Sequence, residues 1–541
     1  MILYNQFILF NCGADNKTMK NIVILFAGKK IGHGFEKVFD SKSAFERCIE
    51  WAKSVKNSLG IVVLCNGENK PLIDSLVDKD IKVIVKENWT NSLLSSTVAE
   101  VCLAEKADYI LYSWADCPFI NSELTEEIIE NHTKYLAEYT FADGFPYGVV
   151  PEAINVGTLN IISGLAKDTQ KHVGDKAVER DCFFSIMSGE INSFEIETVI
   201  ADKDYRMLRY EFECSSKKGI ISCSRLYELA LNNQINLANG NSYDVYKLFD
   251  LAEKSSLVMQ TVPTFYNIQI TDKYNTNSIY NPYPIVCKDK TYGDMEIEKF
   301  RTLLQQIVDY SESAVISLSC FGEPTCNKYF YEFIQEILKY PELSVLIETD
   351  GISLSEEWVS KIEKSGQNRI YWIVLLDSVN KEMYSKINGI DEECYTKAVK
   401  SIQMLEKYFP SNVYPQFTRT LENESQLEDF YRFCSNKDSP SKGELIIQKY
   451  DSFCGRLPAL KSADLSPLER NPCWHLRRDM VILSDGSVPI CKDRIDLIVG
   501  NVFNENIETV WSKFRNYLEE HININYCAEC KVCDEYYTFN F

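Results

Sequence analysis

The sequence predicts an α/β protein built from three folded parts. Strand-like runs alternate with amphipathic helix-like stretches between residues 265 and 450, a pattern typical of a mostly parallel sheet. A second series of apolar, strand-like runs precedes it. The last 69 residues hold five of the nineteen cysteines, and their spacing indicates a small metal-binding unit. The expected parts are an N-terminal α/β domain at 19–240, a helical connector at 241–262, a partial parallel barrel at 263–455 and a cysteine-rich domain at 456–541.

Composition excludes several classes of function. The chain has 541 residues, too many for one core, and no apolar run of transmembrane length. Its net charge of −21 disfavours binding to nucleic acid or to an anionic membrane. Residues 1–18 lack the basic start and cleavage site of an export signal, and Met19-Lys20 immediately precedes the strand-like NIVILFAG. We therefore expect translation to begin at Met19 and the protein to be cytoplasmic.

The predicted strands follow in chain order. In the N-terminal domain the apolar runs are NIVILFAG (21–28), GIVVLC (60–65), IKVIV (81–85) and DYILYSWAD (108–116). In the barrel they are FYNIQI (265–270), AVISL (314–318), LSVLIE (343–348), RIYWIVLL (369–376), VYPQFT (413–418) and ELIIQK (444–449). Six such strand-helix units suit an open parallel barrel.

The five cysteines of the tail are candidate metal ligands: Cys473, Cys491, Cys527, Cys530 and Cys533. Four thiolates from such a set can hold an iron-sulfur cluster, and two separated cysteines with a CxxC pair also suit tetrahedral Zn²⁺. A reducing cytosol disfavours structural disulfides. Spacing alone leaves iron-sulfur and zinc open.

The surroundings of these cysteines carry a resemblance. The order is Cys473-Trp474-His475, a strand, Asp485-Gly486, a strand ending at Cys491, Gly500-Asn501-Val502, a helix with Trp511, and CAECKVC. It resembles the SPASM domain, an auxiliary-cluster module. That resemblance implies one [4Fe-4S] cluster, with Cys473, Cys491, Cys527 and Cys530 as first-choice ligands and Cys533 as an alternate. Asp485-Gly486 is expected to turn a β-hairpin, and His475 to hydrogen-bond rather than ligate.

The predicted barrel is similar to that of radical S-adenosylmethionine enzymes. Its strand ends carry Gly322-Glu323-Pro324, Thr349-Asp350-Gly351, Leu376-Asp377-Ser378 and Asn388-Gly389. Each tripeptide alone indicates only a turn, but the order at successive strands matches that family. The resemblance implies a pocket at Gly322, Glu323 and Pro324 for the methionine group of S-adenosylmethionine.

The cluster motif of that family is altered in this chain. Where the family has CxxxCxxC, the sequence has Tyr274, Ser278 and Asn281. A hydroxyl or an amide does not replace the soft thiolate that an iron-sulfur cluster needs. We therefore expect weak binding of S-adenosylmethionine and no reductive cleavage. A site rebuilt from Cys287, Cys320 and Cys326 is the alternative, although lone cysteines usually pack as small apolar residues.

The N-terminal domain resembles sugar-nucleotide transferases of the GT-A type. Gly28-Lys29-Lys30 and the following glycines match a phosphate-cradling loop, and Asp116 in WADCPF matches a Mg²⁺ ligand. The second aspartate expected by that resemblance is missing, and the region holds Glu211, Glu213 and Cys214. The alternative is that Asp116 only caps a turn and that the domain binds a ligand without catalysis.

The combination of all three parts resembles the spiro-SPASM family, over nearly the whole chain. The resemblance supplies no activity. We expect an iron-sulfur protein that binds a carbohydrate or nucleotide-linked molecule, or a peptide, with the barrel as a scaffold. Two enzymatic alternatives remain: a Mg²⁺-dependent nucleotidyl- or glycosyltransferase, and a radical enzyme that modifies a peptide or sugar.

Overall fold

The computed structural model describes residues 19–29, 31–167, 175–237, 242–287 and 290–538. The expectations for residues 1–18 and for Lys30 lie outside the described residues. The chain folds as two compact units, unit 1 up to Leu248 and unit 2 from Phe249 onward. Among the described residues, none of the helices has the length and apolar character needed to cross a membrane.

Unit 1 is built on a seven-stranded sheet with the order β3-β2-β1-β4-β6-β5-β7. The strands are β1 (Asn21–Ala27), β2 (Ser58–Cys65), β3 (Lys82–Val85), β4 (Tyr109–Trp114), β5 (Tyr139–Asp143), β6 (Glu152–Asn155) and β7 (Ile196–Ile200). Only β6 runs antiparallel to its neighbours, and the other pairs within this described sheet are parallel. The four strands predicted in this part of the sequence are confirmed.

The strands of unit 1 are apolar along their length because both faces of the sheet are covered. Every residue of β1 and of β4 is buried. The covering helices are α1 (Ala44–Ser54), α2 (Lys70–Leu76), α3 (Asn91–Glu105), α4 (Ser122–Lys134), α5 (Val156–Ala166), α6 (Cys182–Met187) and α7 (Lys217–Asn232). At the start of α1, Ser43 and Glu46 each accept a hydrogen bond from the other's backbone N–H, a capping box that fixes the helix start.

Unit 2 contains the predicted half-barrel of parallel strands. Its sheet has the order β13-β12-β11-β10-β9-β8-β14. The strands are β8 (Phe265–Ile268), β9 (Ala314–Ser317), β10 (Leu343–Thr349), β11 (Ile370–Leu375), β12 (Val413–Arg419), β13 (Ile446–Lys449) and β14 (Asp479–Ile482). All six predicted barrel strands are confirmed, and each pairs parallel with its neighbours.

Helices alternate with these strands and continue into the tail. They are α8 (Val245–Glu253), α9 (Ser256–Met259), α10 (Tyr283–Val286), α11 (Ile297–Ser311), α12 (Phe330–Leu338), α13 (Glu356–Gly366), α14 (Lys381–Asn388), α15 (Glu393–Tyr408), α16 (Leu427–Ser435), α17 (His475–Arg478), α18 (Ile507–Ser512), α19 (Phe514–Ile522) and α20 (Ala528–Val532). The tail also holds β15 (Ser487–Pro489) and β16 (Ile498–Asn501), which pair antiparallel.

The hairpin predicted across Asp485-Gly486 is only partly correct. The turn forms, because the Gly486 N–H donates to the Leu483 carbonyl at 2.8 Å and Gly486 adopts a φ of +83°. However, β14 and β15 belong to different sheets. β14 pairs parallel with β8, and its buried residues complete the edge of the barrel. A strand added to a large sheet buries more apolar surface than one half of an isolated hairpin, which is marginally stable in water.

Trp511 is a suitable probe of the packing of unit 2. Its side chain is buried against Phe514, with ring centroids 4.7 Å apart, and its Nε1–H donates to the Thr261 carbonyl at 3.0 Å. We expect Trp511→Ala to destabilise unit 2 by about 3–5 kcal/mol, the usual cost of removing a buried aromatic side chain. Urea denaturation would measure the change, and Leu468→Ala at a fully exposed position is the control. A loss below about 1 kcal/mol would contradict this packing role.

Candidate metal centre

All five predicted cysteine ligands lie on the wall of one cavity in unit 2. The cavity has a volume of about 390 Å³. Cys473 comes two residues before α17, and Cys491 lies between β15 and β16. The other three cysteines lie on or beside the short helix α20, which Cys527 caps by accepting the Cys530 N–H at 3.4 Å. The tail therefore gathers thiols that are up to 60 residues apart in the sequence.

A sixth cysteine of this cavity was missed by sequence reasoning. Cys454 lies in the loop between β13 and α17, and it also lines the cavity wall. Three successive residues, Phe453, Cys454 and Gly455, have positive φ angles of 49°, 56° and 77°. Left-handed backbone at two residues other than glycine is uncommon and costs free energy. The position of Cys454 on the cavity wall depends on the local backbone conformation and not on a cysteine spacing. No sequence motif therefore predicts it.

Cys533 has surroundings different from those of the other tail cysteines. Its Sγ lies 3.6 Å from Oδ2 of Asp493, and ligand atoms of Cys454, Asp493 and Cys533 all lie within 4.8 Å of one another. A hydrogen bond with Cys454, together with burial, raises the pKa of Cys533. Cys533 also accepts the Glu535 N–H at 3.3 Å.

Burial also changes the pKa of three further thiols, those of Cys473, Cys491 and Cys530. It raises the pKa of Cys473 to about 12 and also raises those of Cys491 and Cys530. Such thiols keep their protons at neutral pH unless a cation takes the place of the proton. Metal binding would therefore release protons.

The cavity wall combines apolar and cationic groups. Leu476, Ile490 and Leu497 supply aliphatic surface, which limits access of water. Arg494 donates from Nη1 to the Cys527 Sγ at 3.6 Å. The guanidinium carbon Cζ of Arg470 lies 4.1 Å from the centroid of the Tyr536 ring. Positive charge and N–H donors near sulfur stabilise the anionic form of a thiolate-bound cluster. The residues present fit an iron-sulfur cluster, and their thiols alone would also suit zinc.

His475 does not offer a free nitrogen to the cavity. Its Nδ1 lies 2.5 Å from Oδ2 of Asp479, and its Nε2 lies 3.0 Å from the Glu535 carbonyl. Both ring nitrogens face oxygen acceptors, in agreement with the prediction that His475 hydrogen-bonds. The contacts connect α17 to β14 and to the segment after Cys533.

The predicted pocket at Gly322-Glu323-Pro324 lies at the carboxyl end of β9. Glu323 is buried, and both of its carboxylate oxygens are already hydrogen-bonded. Oε1 accepts from the N–H and hydroxyl of Thr325 and from the Thr349 hydroxyl, and Oε2 accepts the Asp350 N–H at 2.8 Å. Burial, followed by the nearby Asp350 carboxylate, raises the pKa of Glu323 to about 8. Gly322 is required here, because a Cβ would lie 2.0 Å from the Thr271 carbonyl oxygen.

The three positions of the altered cluster motif lie in a loop rich in aromatic contacts. The ring of Tyr274 lies 5.9 Å from that of Tyr283, and Asn281 Oδ1 accepts the Tyr283 N–H at 3.0 Å. Two residues after Ser278, the hydroxyl of Tyr280 donates a hydrogen bond to the carboxylate of the buried Asp377. Aromatic residues thus lie beside two of the three motif positions, 274 and 281.

The three barrel cysteines considered as an alternative cluster site, Cys287, Cys320 and Cys326, do not share the same contacts. Cys287 and Cys320 belong to one apolar cluster with Phe321, Phe453 and other residues. Cys326 instead donates from Sγ to Asn275 Oδ1 at 3.1 Å. The packing of the first two is that of small apolar side chains.

Asp116 of unit 1, the predicted Mg²⁺ ligand, follows β4 and is fully buried. Its carboxylate accepts two hydrogen bonds from Arg180, at 3.1 and 2.6 Å, and the same guanidinium reaches Glu213 at 2.9 Å. No motif in the sequence indicated a role for Arg180. In the predicted phosphate loop, Lys29 Nζ lies 2.5 Å from Glu179 Oε1 and forms an ion pair with it.

Two family models match unit 2. The model of the radical SAM superfamily matches residues 280–434, and the SPASM model, an iron-sulfur cluster-binding domain, matches residues 473–534. The second match spans all five predicted cysteine ligands. The first begins after Tyr274 and Ser278, two positions of the altered motif.

Solved structures and a curated relative extend the comparison. Native anSMEcpe with bound AdoMet is 16% identical with a TM-score of 0.39, over 51% of this chain and 87% of that chain. A cytidylyltransferase from Leptospira borgpetersenii serovar Hardjo-bovis (strain JB197) is 15% identical with a TM-score of 0.35, over 44% and 94%. An uncharacterized protein of Treponema pallidum (strain Nichols) is 36% identical over 370 residues, 66% of this chain and 98% of that protein. The chain therefore belongs to the same family as the T. pallidum protein, and it carries a radical SAM superfamily domain followed by a SPASM iron-sulfur cluster-binding domain.

Proposed function

We propose that this protein is an iron-sulfur protein whose tail holds one [4Fe-4S] cluster and whose barrel is a scaffold without radical activity. The observation that carries the first part is the cavity lined by six cysteines. A cluster bound there supplies one-electron redox chemistry. The role of this chain's own residues is to hold four thiolates and to exclude water with an apolar wall.

The surroundings of the thiols support the first-choice ligand set of Cys473, Cys491, Cys527 and Cys530. Cys533 is engaged with Cys454 and Asp493, so it is the best candidate for the surplus cysteine among the five. The Arg494 contact to Cys527 supports that residue as a thiolate ligand.

The contacts at the barrel mouth support the scaffold role. An amino group of S-adenosylmethionine would have to compete for Glu323, whose two oxygens already accept four hydrogen bonds. The aromatic loop around Tyr274 contains no cysteine at the three motif positions, so it offers no thiolate for a cluster there. Binding of S-adenosylmethionine is therefore expected to be weak.

The ligand proposed for the whole protein is a carbohydrate or nucleotide-linked molecule, with a peptide as the competing class. This proposal rests on the resemblance of unit 1 to sugar-nucleotide transferases. Binding assays with nucleotide sugars, free sugars and peptides would separate the classes.

The first prediction about function concerns the metal content. Protein isolated without oxygen should contain about four irons and four sulfides per chain, because the tail supplies one full set of thiolates. Iron and acid-labile sulfide analysis measures both. About eight irons would indicate a second cluster, and stoichiometric zinc without sulfide would contradict the cluster proposal.

The second prediction concerns the ligands. Cys473→Ser or Cys491→Ser should remove most of the iron and lower the thermal stability of the tail, because metal binding in a small unit contributes to its folding. Cys434→Ser, a buried cysteine of α16, is the matched control and should retain the cluster. Cys454→Ser should also retain iron, and its loss in that variant would show that the ligand set is wrong.

The third prediction concerns radical chemistry. Dithionite-reduced protein incubated with S-adenosylmethionine should form no 5′-deoxyadenosine above a protein-free control, because no thiolate holds a cluster at positions 274, 278 and 281. Chromatography of the quenched reaction measures the product. Catalytic formation that disappears in Cys320→Ser would show a rebuilt cluster site and overturn the scaffold role.

A further inference from the structure

Two buried carboxylates of unit 1 share one guanidinium. Asp116 follows β4, and Glu213 lies before α7 with 5% of its surface exposed. Arg180, from the segment before α6, places Nη2 2.6 Å from Asp116 Oδ2 and 2.9 Å from Glu213 Oε2. One cation thus bridges carboxylates that are 97 residues apart in the sequence.

Most of the N–H donors of the Arg180 guanidinium make hydrogen bonds inside this site. Nη1 donates to Asp116 Oδ1 at 3.1 Å and to the Tyr147 hydroxyl at 3.2 Å. With the two bonds from Nη2, four of the five N–H donors of Arg180 are used inside the site. The guanidinium carbon Cζ of Arg180 lies 4.4 Å from the centroid of the Trp114 ring. A paired and stacked arginine is held in one position.

The carboxylate oxygens are equally occupied. Cys117 Sγ donates to Asp116 Oδ1 at 3.6 Å, the Ser215 N–H donates to Glu213 Oε2 at 2.6 Å, and Ser216 donates to Glu213 Oε1 at 3.3 Å. Every oxygen of the two carboxylates therefore has a protein donor.

The backbone approaches Asp116 closely at Gly34, where a Cβ would lie 3.2 Å from Asp116 Cβ. Mg²⁺ usually keeps several of its waters when it binds to carboxylates. An ion between the same two oxygens would also lie against Nη2, and two cations in a buried place repel strongly. The residues do not fit a hydrated divalent ion.

We propose that Arg180 is a built-in substitute for the divalent ion that carboxylates in this position would otherwise hold. On this proposal, any ligand of unit 1 is bound without a metal ion at Asp116 and Glu213. This inference is independent of the cluster proposal, since it concerns only unit 1.

The test titrates the full chain with Mn²⁺ and follows free Mn²⁺ by electron paramagnetic resonance. The wild-type protein should show no Mn²⁺ binding that Asp116→Asn removes. Arg180→Met, a neutral side chain of similar length, should gain one site at least tenfold tighter than any in wild type. The double variant Arg180→Met with Asp116→Asn should lose that site. Arg206→Met, which removes an exposed ion pair with Asp143, is the matched control and should gain nothing.

Two outcomes would overturn the proposal. One is a stoichiometric Mn²⁺ in wild type that Asp116→Asn removes, whatever the other variants do. The other is an Arg180→Met variant that neither binds Mn²⁺ nor is stabilised by it. Since Arg180→Met leaves two buried charges unpaired, it is expected to melt at a lower temperature. Mn²⁺ should then raise its melting temperature, but not that of the double variant, so poor folding does not obscure the result.

Discussion

The parallel pairing of β14 with β8 is the constraint on which the cysteine cavity depends. It extends the barrel sheet by one strand from the tail. The fully buried Gln269 fixes the end of this pairing: its N–H donates to the Ile482 carbonyl at 2.9 Å, and its side chain accepts the Ser484 N–H at 3.2 Å. Because Cys473 precedes β14 and Cys491 follows it, the barrel edge determines where both thiols lie. The tail is thus positioned by the barrel rather than by its own small core.

The strands were predictable from the sequence, but the partner of β14 was not. The strands of both sheets were predictable, since parallel strands covered on both faces are continuous apolar runs. That the tail cysteines lie together was predictable from their spacing. The partner of β14 was not, because Asp485-Gly486 indicates a local turn and says nothing of a strand more than 200 residues earlier. Cys454 and Arg180 depend on backbone conformation and on contacts between distant residues, which no short motif contains.

Protonation gives the cysteine cavity its own pH dependence. Burial raises the pKa of Cys473 to about 12, so this thiol is neutral at pH 7 when no cation is bound. A metal or cluster must displace such protons, and the free energy needed falls as the pH rises. Apparent affinity for the bound group therefore increases with pH over the range in which the thiols remain protonated.

The acidic residues beside this cavity are paired with lysine side chains of the protein. Ligand oxygens of Asp451, Asp534 and Glu535 lie within 4.8 Å of one another, a spacing that could hold a metal ion. However, Lys492 pairs with Asp451 and Lys449 pairs with both Asp534 and Glu535. An ion there would have to displace the partly buried ammonium groups of Lys449 and Lys492. Arg180 has the same relation to Asp116 and Glu213 in unit 1. In both units, carboxylates that could hold a metal ion are neutralised by side chains of the protein itself. The tail thiols have no such ammonium or guanidinium group bridging all of them among the described residues, and a soft metal centre supplies the charge that they need to ionise.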